Sequence, residues 1–141
     1  MNDAEVRLIG NATADPVFKV TQGGQNMATF GIAINKRQKN QDTGQWENGE
    51  PEFHDVVCWR DLAENVVESI TKGTRVIVVG RLSKRSWEGE DGKKQYRVEV
   101  VADDVAPSLR WAVADVTKTA SSGGGGNYGG GGGYSGGNEP F

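Results

Sequence analysis

The stretch EFHDVVCWRDLAENVVESIT, residues 52–71, decides the fold because the period of its apolar residues changes within it. Residues 52–60 read as a strand, with successive side chains pointing to opposite faces. From residue 61 to residue 71, apolar side chains recur three and four positions apart, which predicts the only convincing helix of the chain. That apolar stripe consists of Leu62, Ala63, Val66, Val67 and Ile70.

Both ends of this helix carry sequence signals. Asp61, with Glu64 three residues later, resembles a capping box, in which the two side chains bind the free backbone N–H groups. Gly73 stands near the right place for a C-terminal cap, where glycine tolerates the left-handed conformation. We therefore expect the helix to begin at Asp61 and to end shortly before Gly73.

Strands are predicted on both sides of the helix from alternation and turn residues. They cover residues 5–9, 17–20, 27–36, 75–87 and 95–105, the last two joined by a hairpin through Glu90-Asp91-Gly92. In the third of these, the side chains assigned to a core are Ala28, Phe30, Ile32 and Ile34. In the fourth they are Val76, Val78 and Leu82, with Gly80 permitting a bend.

Residues 37–51 are polar and predict a long loop. Apart from the short strand at 17–20, the resulting order of three strands, one helix and two strands predicts an all-β protein. It matches the OB-fold, a five-stranded, partly open Greek-key barrel with one helix between strands 3 and 4.

Composition divides the chain of 141 residues into a domain and a tail. Residues 121–141 hold 11 of the 21 glycines and almost no aliphatic side chains, so we expect them to be disordered. The predicted division is a binding domain at 1–117, a disordered Gly-rich linker at 118–137 and a partner-binding tip at 138–141. The sequence has no apolar run of about 20 residues and no secretory signal. A cytoplasmic location is expected, and a single cysteine, Cys58, agrees with it.

Aromatic and basic side chains alternate along two of the predicted strands. Phe53 and Trp59 share one face of the strand at 52–60, and Trp87 shares a face with Arg85 on the strand at 75–87. Bases of any sequence can stack on such rings, while Lys and Arg contact phosphates. The basic candidates are Lys36, Arg37, Lys39, Lys84, Arg85, Lys93, Lys94 and Arg97. The alternative, that these aromatics pack in a core or an interface, remains open for each ring.

Charge and catalytic residues limit the other classes of function. The net charge of −3 argues against general electrostatic attraction to nucleic acid. His54 and Cys58 lie four residues apart on one strand, about 13 Å, so they cannot form a dyad directly. One His and one Cys cannot complete a zinc site in one subunit. We expect no enzyme, no metal and no cofactor.

Motifs spread over nearly the whole chain resemble the bacterial single-stranded DNA-binding proteins. They include Gly10-Asn11 with Asp15-Pro16, residues 28–33, Glu52-Phe53-His54, Gly80-Arg81-Leu82 and the final Pro140-Phe141. The segment 107–111 and the strand-like residues 112–117 after it look similar to the actinobacterial branch of that family.

The resemblance implies a homotetramer around which single-stranded DNA wraps in replication, recombination and repair, in association with the nucleoid. It implies base stacking on Phe53, Trp59 and Trp87. It implies backbone contacts from Arg85 and Lys19. His54 and Ile77 would lie at subunit interfaces. The tip, with Glu139, Pro140 and Phe141, would recruit replication and repair proteins.

Three departures from the family pattern qualify these expectations. Gln38 stands where some members carry an aromatic residue, and Trp46 in the following loop is a further stacking candidate. Asp55 occupies a position that is often basic and is expected to repel phosphate. The tip has lost most of its negative charge, so weaker or different partner recruitment is expected. An OB-fold adaptor for proteins or RNA remains an alternative function, and an enzyme is a remote one.

Overall fold

The structure is a computed structural model and describes residues 3–120. It contains eight strands and one helix in these residues. The strands are β1 (Glu5–Ala12), β2 (Val17–Val20), β3 (Asn26–Ile34), β4 (Arg37–Lys39), β5 (Trp46–Asn48), β6 (Glu52–Trp59), β7 (Arg75–Glu88) and β8 (Lys94–Pro107), and the helix is α1 (Arg60–Ser69).

Six strands form one sheet that closes on itself. Its order is β1-β7-β8-β6-β3-β2, and β1 pairs a second time with β3. Five strands therefore close a barrel, and β2 extends it at the edge of β3. The β6–β8 pairing is parallel and covers only Val56–Val100 and Val57–Val101, so the barrel is partly open there. With α1 between the third and fourth barrel strands, the predicted OB-fold is confirmed.

Two glycines lie where strands approach each other too closely for a side chain. At Gly10, a Cβ atom would be 2.5 Å from the Ala33 carbonyl oxygen, where β1 crosses from β7 to β3. At Gly80, a Cβ atom would overlap the Val101 carbonyl oxygen. The β7–β8 register shifts between Val79 and Gly80, so the bend that the sequence predicts at Gly80 is a β-bulge.

The core is built from the alternating inner side chains of the barrel strands and the apolar stripe of α1. Ala28 and Ile32 are fully buried and Phe30 nearly so, as predicted for this strand, and Ile34 packs partly buried against them. Ala63, Val66 and Ile70 of the predicted stripe are buried, while Leu62 and Val67 are partly buried. No helix among residues 3–120 is long and apolar enough to span a membrane.

The helix lies within two residues of the predicted bounds, but both predicted caps are wrong. The helix begins at Arg60, its N-cap is Trp59, and no side chain caps it, so Asp61 lies inside the first turn. The C-cap is Ile70, which is extended and buried in the core, so packing ends the helix before Gly73. Gly73 adopts a φ of 89° in the following turn, and its N–H donates to the Ala12 carbonyl oxygen.

Three further expectations need correction. Residues 37–51 contain the short hairpin β4–β5, whose turn is held by Asn40 Oδ1 accepting from the N–H groups of Asp42 and Thr43. Leu82 is 44% exposed because β7 and β8 continue beyond the barrel as a two-stranded ribbon. Residues 112–117 form no strand within the described part of the chain, since no described strand pairs with them.

Candidate nucleic-acid interface

The outer face of the barrel forms one continuous surface across β2, β3, β6, β8 and β7. Alternation places one set of side chains of each strand on it, and the strand register brings these sets into line. On β6 this set consists of Phe53, Asp55, Val57 and Trp59. On β7 it consists of Arg81, Ser83, Arg85 and Trp87, as the sequence predicts. We call this surface the outer face.

Three of the four stacking candidates lie on the outer face. Phe53 is 66% exposed, Trp59 37% and Trp87 46%, which is unusual exposure for large aromatic side chains. Phe53 pairs with Ala33 and Trp59 with Met27, so small or flexible neighbours leave both rings accessible. The open alternative of core packing therefore does not apply to these rings within one subunit.

Trp46 lies elsewhere, on the β4–β5 hairpin that connects β3 to β6. It is 62% exposed and pairs with Lys39, while Arg37 Nη2 donates to its carbonyl oxygen at 3.4 Å. Because β3 ends and β6 begins at the same edge, this hairpin stands at the Phe53 end of the outer face. Arg37, Lys39 and Trp46 are thus carried by one small element.

Three of the predicted phosphate contacts are brought together. Lys19, Arg85 and Arg97 line one shallow depression of the outer face, together with Trp59 and Asp55. Arg85 and Arg97 are cross-strand partners on β7 and β8. Two guanidinium groups and an ammonium group thus line the depression to which Trp59 also contributes, although they come from three separate parts of the sequence.

Two carboxylates are interleaved with these cations. Asp55 Oδ2 accepts from Arg97 Nε at 3.1 Å and from Arg97 Nη2 at 2.9 Å. Glu99 Oε2 lies 3.9 Å from Arg85 Nη2, at the outer limit of an ion pair. The unfavourable position of Asp55 that the sequence indicates is therefore partly neutralised by a side chain of the neighbouring strand.

At the hairpin end of the face, Lys36 takes part in a charged cluster. Its Nζ atom lies 2.7 Å from Glu52 Oε2, and His54 Nε2 donates to Glu52 Oε1 at 2.7 Å. Hydrogen bonds from Lys36 and then His54 hold the pKa of the Glu52 carboxyl below its usual value. Lys36 thus starts from an ion pair rather than as a free cation.

The remaining lysine candidates belong to the β7–β8 ribbon. Lys93 lies in its turn, while Lys84 and Lys94 project on the side opposite to Arg85. Lys84 Nζ sits 4.2 Å from the centroid of the Tyr96 ring, and Lys94 Nζ sits 5.9 Å from it. The sequence does not single out Tyr96, which is 54% exposed. Only the hairpin register, which pairs Ser86 with Tyr96, reveals this second aromatic–cation group.

The candidates for subunit contacts fall on other surfaces. Ile77 is half-buried on the outside of the β1–β7 pair, where its cross-strand partner is Ile9. Ile9 is 37% exposed and Val79, on the same side, is 43% exposed. His54 lies instead at the barrel rim, beside its partner Ile32.

The groups that could support catalysis are poorly placed for it. Burial raises the pKa of the Cys58 thiol to about 12, so the thiol stays protonated at neutral pH and is a poor nucleophile. His54 is engaged by Glu52. Among residues 3–120, no group of three or more His, Cys, Asp or Glu side chains could hold a metal ion. The predicted tip residues Glu139, Pro140 and Phe141 and the linker from residue 121 lie outside the described residues.

The barrel and its outer face define the class of protein. A partly open OB barrel with exposed aromatic rings and cations on one side is the arrangement typical of proteins that bind single-stranded nucleic acid. The chain belongs to the single-strand binding protein family, whose sequence profile matches residues 3–108.

Individual relatives agree with this assignment. The single-stranded DNA-binding protein of Mycobacterium tuberculosis is 45% identical over 125 residues, covering 89% of this chain and 76% of that protein. The single-stranded DNA-binding protein of Corynebacterium glutamicum is 49% identical over 123 residues, covering 87% of this chain and 55% of that protein. The crystal structure of a small single-stranded DNA-binding protein from Streptomyces coelicolor superimposes with a TM-score of 0.64 at 28% identity, covering 77% and 97% of the two chains. The resemblance to the actinobacterial branch is confirmed.

Proposed function

We propose that this protein binds single-stranded DNA without sequence preference and protects it during replication, recombination and repair. The observation that carries the proposal is the outer face, where Phe53, Trp59 and Trp87 are all exposed. Bases stack on these rings, and stacking contributes about 1–3 kcal/mol per base regardless of sequence. Single strands are preferred because duplex bases are already stacked on each other.

Phosphates are bound by cations around the rings. Lys19, Arg85 and Arg97 bind phosphates at the centre of the outer face. Arg37 and Lys39 of the β4–β5 hairpin bind phosphates at one end of it. Lys93 binds phosphate at the turn of the β7–β8 ribbon, and Lys84 and Lys94 bind phosphate on the side of the ribbon opposite to Arg85. Lys36 contributes when Glu52 releases it. Trp46 offers a further ring to a strand that leaves the face over the hairpin.

The proposal includes an assembly and partners. Four copies associate, and the exposed side chains of Ile9 and Val79 with the half-buried Ile77 provide one apolar contact surface, with His54 at another. The protein acts in the cytoplasm at the nucleoid as a binding protein, not an enzyme, and needs no cofactor. A binding domain of residues 1–117 is joined by a Gly-rich linker, 118–137, to the tip at 138–141. The tip recruits replication and repair proteins.

The function is tested by titrating the intact protein with poly-dT and following tryptophan fluorescence. We expect strong quenching at submicromolar protein, little quenching by duplex DNA, and an affinity that falls by about 0.7 log units per log unit of salt for each neutralised phosphate. Poly-U is the matched RNA probe, and binding of poly-U in preference to poly-dT would favour the RNA alternative.

The stacking assignment is tested by the triple variant Phe53→Ala, Trp59→Ala, Trp87→Ala. Loss of three stacking contacts should weaken poly-dT binding by at least 100-fold, measured by competition against a labelled oligonucleotide because two tryptophans are lost. Trp111→Ala is the control, since this ring is 76% exposed but lies against Arg75 away from the outer face. An unchanged affinity of the triple variant would show that the rings do not stack on DNA.

A further inference from the structure

Arg97 and Arg85 are cross-strand partners on the outer face, but their surroundings differ. Arg97 donates from both Nε and Nη2 to the same oxygen of Asp55, at 3.1 and 2.9 Å. The only ion-pair partner of Arg85 among residues 3–120 is Glu99, at 3.9 Å. Arg85 is therefore nearly free to receive a phosphate, whereas Arg97 is already occupied by an anion.

The Asp55–Arg97 pair is weak enough to be opened. The two side chains are 47% and 51% exposed, so water screens their attraction, and exposed pairs contribute little net free energy. A phosphodiester presents the same kind of acceptor to a guanidinium group as the Asp55 carboxylate. The carboxylate and the DNA backbone are thus competitors for one cation.

The position of the pair brings this competition into the path of the bound strand. Asp55 lies on β6 between Phe53 and Trp59, with all three side chains on the same face. These two aromatic residues are six positions apart, about 20 Å along an extended strand. A nucleic acid that stacks on both rings must pass Asp55 and Arg97.

We propose that Asp55 is a specificity-determining residue that withholds Arg97 from phosphate until a strand stacked on the neighbouring rings displaces it. This inference rests on the proposed function and deepens it. A loosely held polyanion meets a paired arginine, while a strand anchored by base stacking places its phosphate against Arg97 at high local concentration and opens the pair. The pair therefore lowers the affinity that a free Arg97 would confer.

The test is a double-mutant cycle of Asp55→Asn and Arg97→Gln, each singly and combined, titrated with poly-dT at several salt concentrations. If Asp55 acts by occupying Arg97, Asp55→Asn raises affinity more when Arg97 is present than in the Arg97→Gln background. We expect that coupling to be a factor of about two to five, the range of an exposed ion pair. Because the bound strand displaces Asp55 in the unaltered protein too, Asp55→Asn should leave the salt slope unchanged, whereas Arg97→Gln should make it shallower by about 0.7, one phosphate contact fewer.

The outcomes separate this inference from the proposed function. Equal gains from Asp55→Asn in both backgrounds, or no gain, would overturn it, because Asp55 would then act by simple repulsion or not at all. Asp55→Ser repeats the test with a smaller side chain. Glu68→Gln, on the exposed side of α1, makes the same change in net charge and should leave affinity within twofold. Failure of the unaltered protein to bind poly-dT would instead refute the proposed function.

Discussion

A single residue, Arg60, makes the turn from strand β6 into helix α1. Its φ is 60°, in the left-handed region that side chains with a Cβ atom avoid. Its Nε atom donates to Gln25 Oε1 at 3.2 Å, which helps to hold the side chain beside the β2–β3 connection. Trp59, the residue before it, is the N-cap of the helix and a ring of the outer face. The strained backbone at Arg60 therefore helps to set the position of Trp59 on the outer face.

The strain at Arg60 is measurable with two variants that lose the same side chain. We expect Arg60→Gly to be more stable than Arg60→Ala by about 1 kcal/mol, because only glycine adopts a positive φ without a steric penalty. Urea unfolding of both variants gives the difference, and the lost Arg60–Gln25 hydrogen bond cancels in the comparison. Equal free energies of unfolding would mean that the left-handed conformation is not strained here.

Among the elements, the β7–β8 ribbon has two environments along its length. From Val76 to Gly80 the inner side chains of β7 are buried, and from Lys84 to Glu88 every residue of this strand is exposed. Asp103 is the extra residue of the bulge, and its Oδ1 atom lies 3.3 Å from Arg81 Nε. The bulge lets one long hairpin close the barrel and then project as an arm with aromatic and basic side chains on both sides.

The close contact at this bulge predicts a specific destabilisation. Gly80→Ala places a methyl group against the Val101 carbonyl oxygen and about 3.0 Å from Ala102 Cα, so the strands must separate. We expect the free energy of unfolding to fall by about 1–3 kcal/mol, the range for overpacking a buried site. Gly23→Ala is the control, because a Cβ atom at this position would lie 4.0 Å from Thr21 Oγ1, its nearest neighbour outside the adjacent residues. If both variants unfolded at the same urea concentration, the barrel would tolerate a side chain at this crossing.

At the scale of the whole molecule, binding depends on where charges lie rather than on their sum. All 16 Lys and Arg precede residue 119, but so do 18 of the 19 Asp and Glu, and the chain carries a net charge of −3. The folded domain is thus slightly acidic on average, yet Lys19, Arg85 and Arg97 converge on one depression. Long-range attraction is weak in such a protein, so we propose that affinity comes from short-range stacking and phosphate contacts.

The proposed association of four chains can be tested with two variants of strand β7. Ile77→Asp places a carboxylate in the apolar Ile9–Ile77–Val79 surface, and burying it between subunits would be costly. We expect the mass in solution, measured by light scattering, to fall below that of four chains. Leu82→Asp, on the exposed ribbon of the same strand, should leave the mass unchanged. Retention of the full mass by Ile77→Asp would exclude this surface as an interface.

The sequence by itself determined the helix, the long strands and the faces of those strands, but not the short β4–β5 hairpin. Apolar alternation identified the core set Ala28, Phe30 and Ile32, and the period change after Arg60 located the helix to within two residues of its observed bounds. These features depend on neighbours along one strand or one helix turn, so local periodicity is enough to read them. For the same reason, Phe53 and Trp59 could be placed together on one face of one strand.

Only the tertiary structure decided what depends on strand register and packing. Pairing of β7 with β8 put Arg85 beside Arg97. The neighbouring strand β6 brought Asp55 to Arg97, although these two residues are 42 positions apart in the sequence. The helix ended at Ile70 because the core buried that side chain, although Gly73 carried the local signal. Register, bulges and closure are set by contacts across the sheet, and periodicity along a single sequence shows which face of a strand is apolar but not how the strands align.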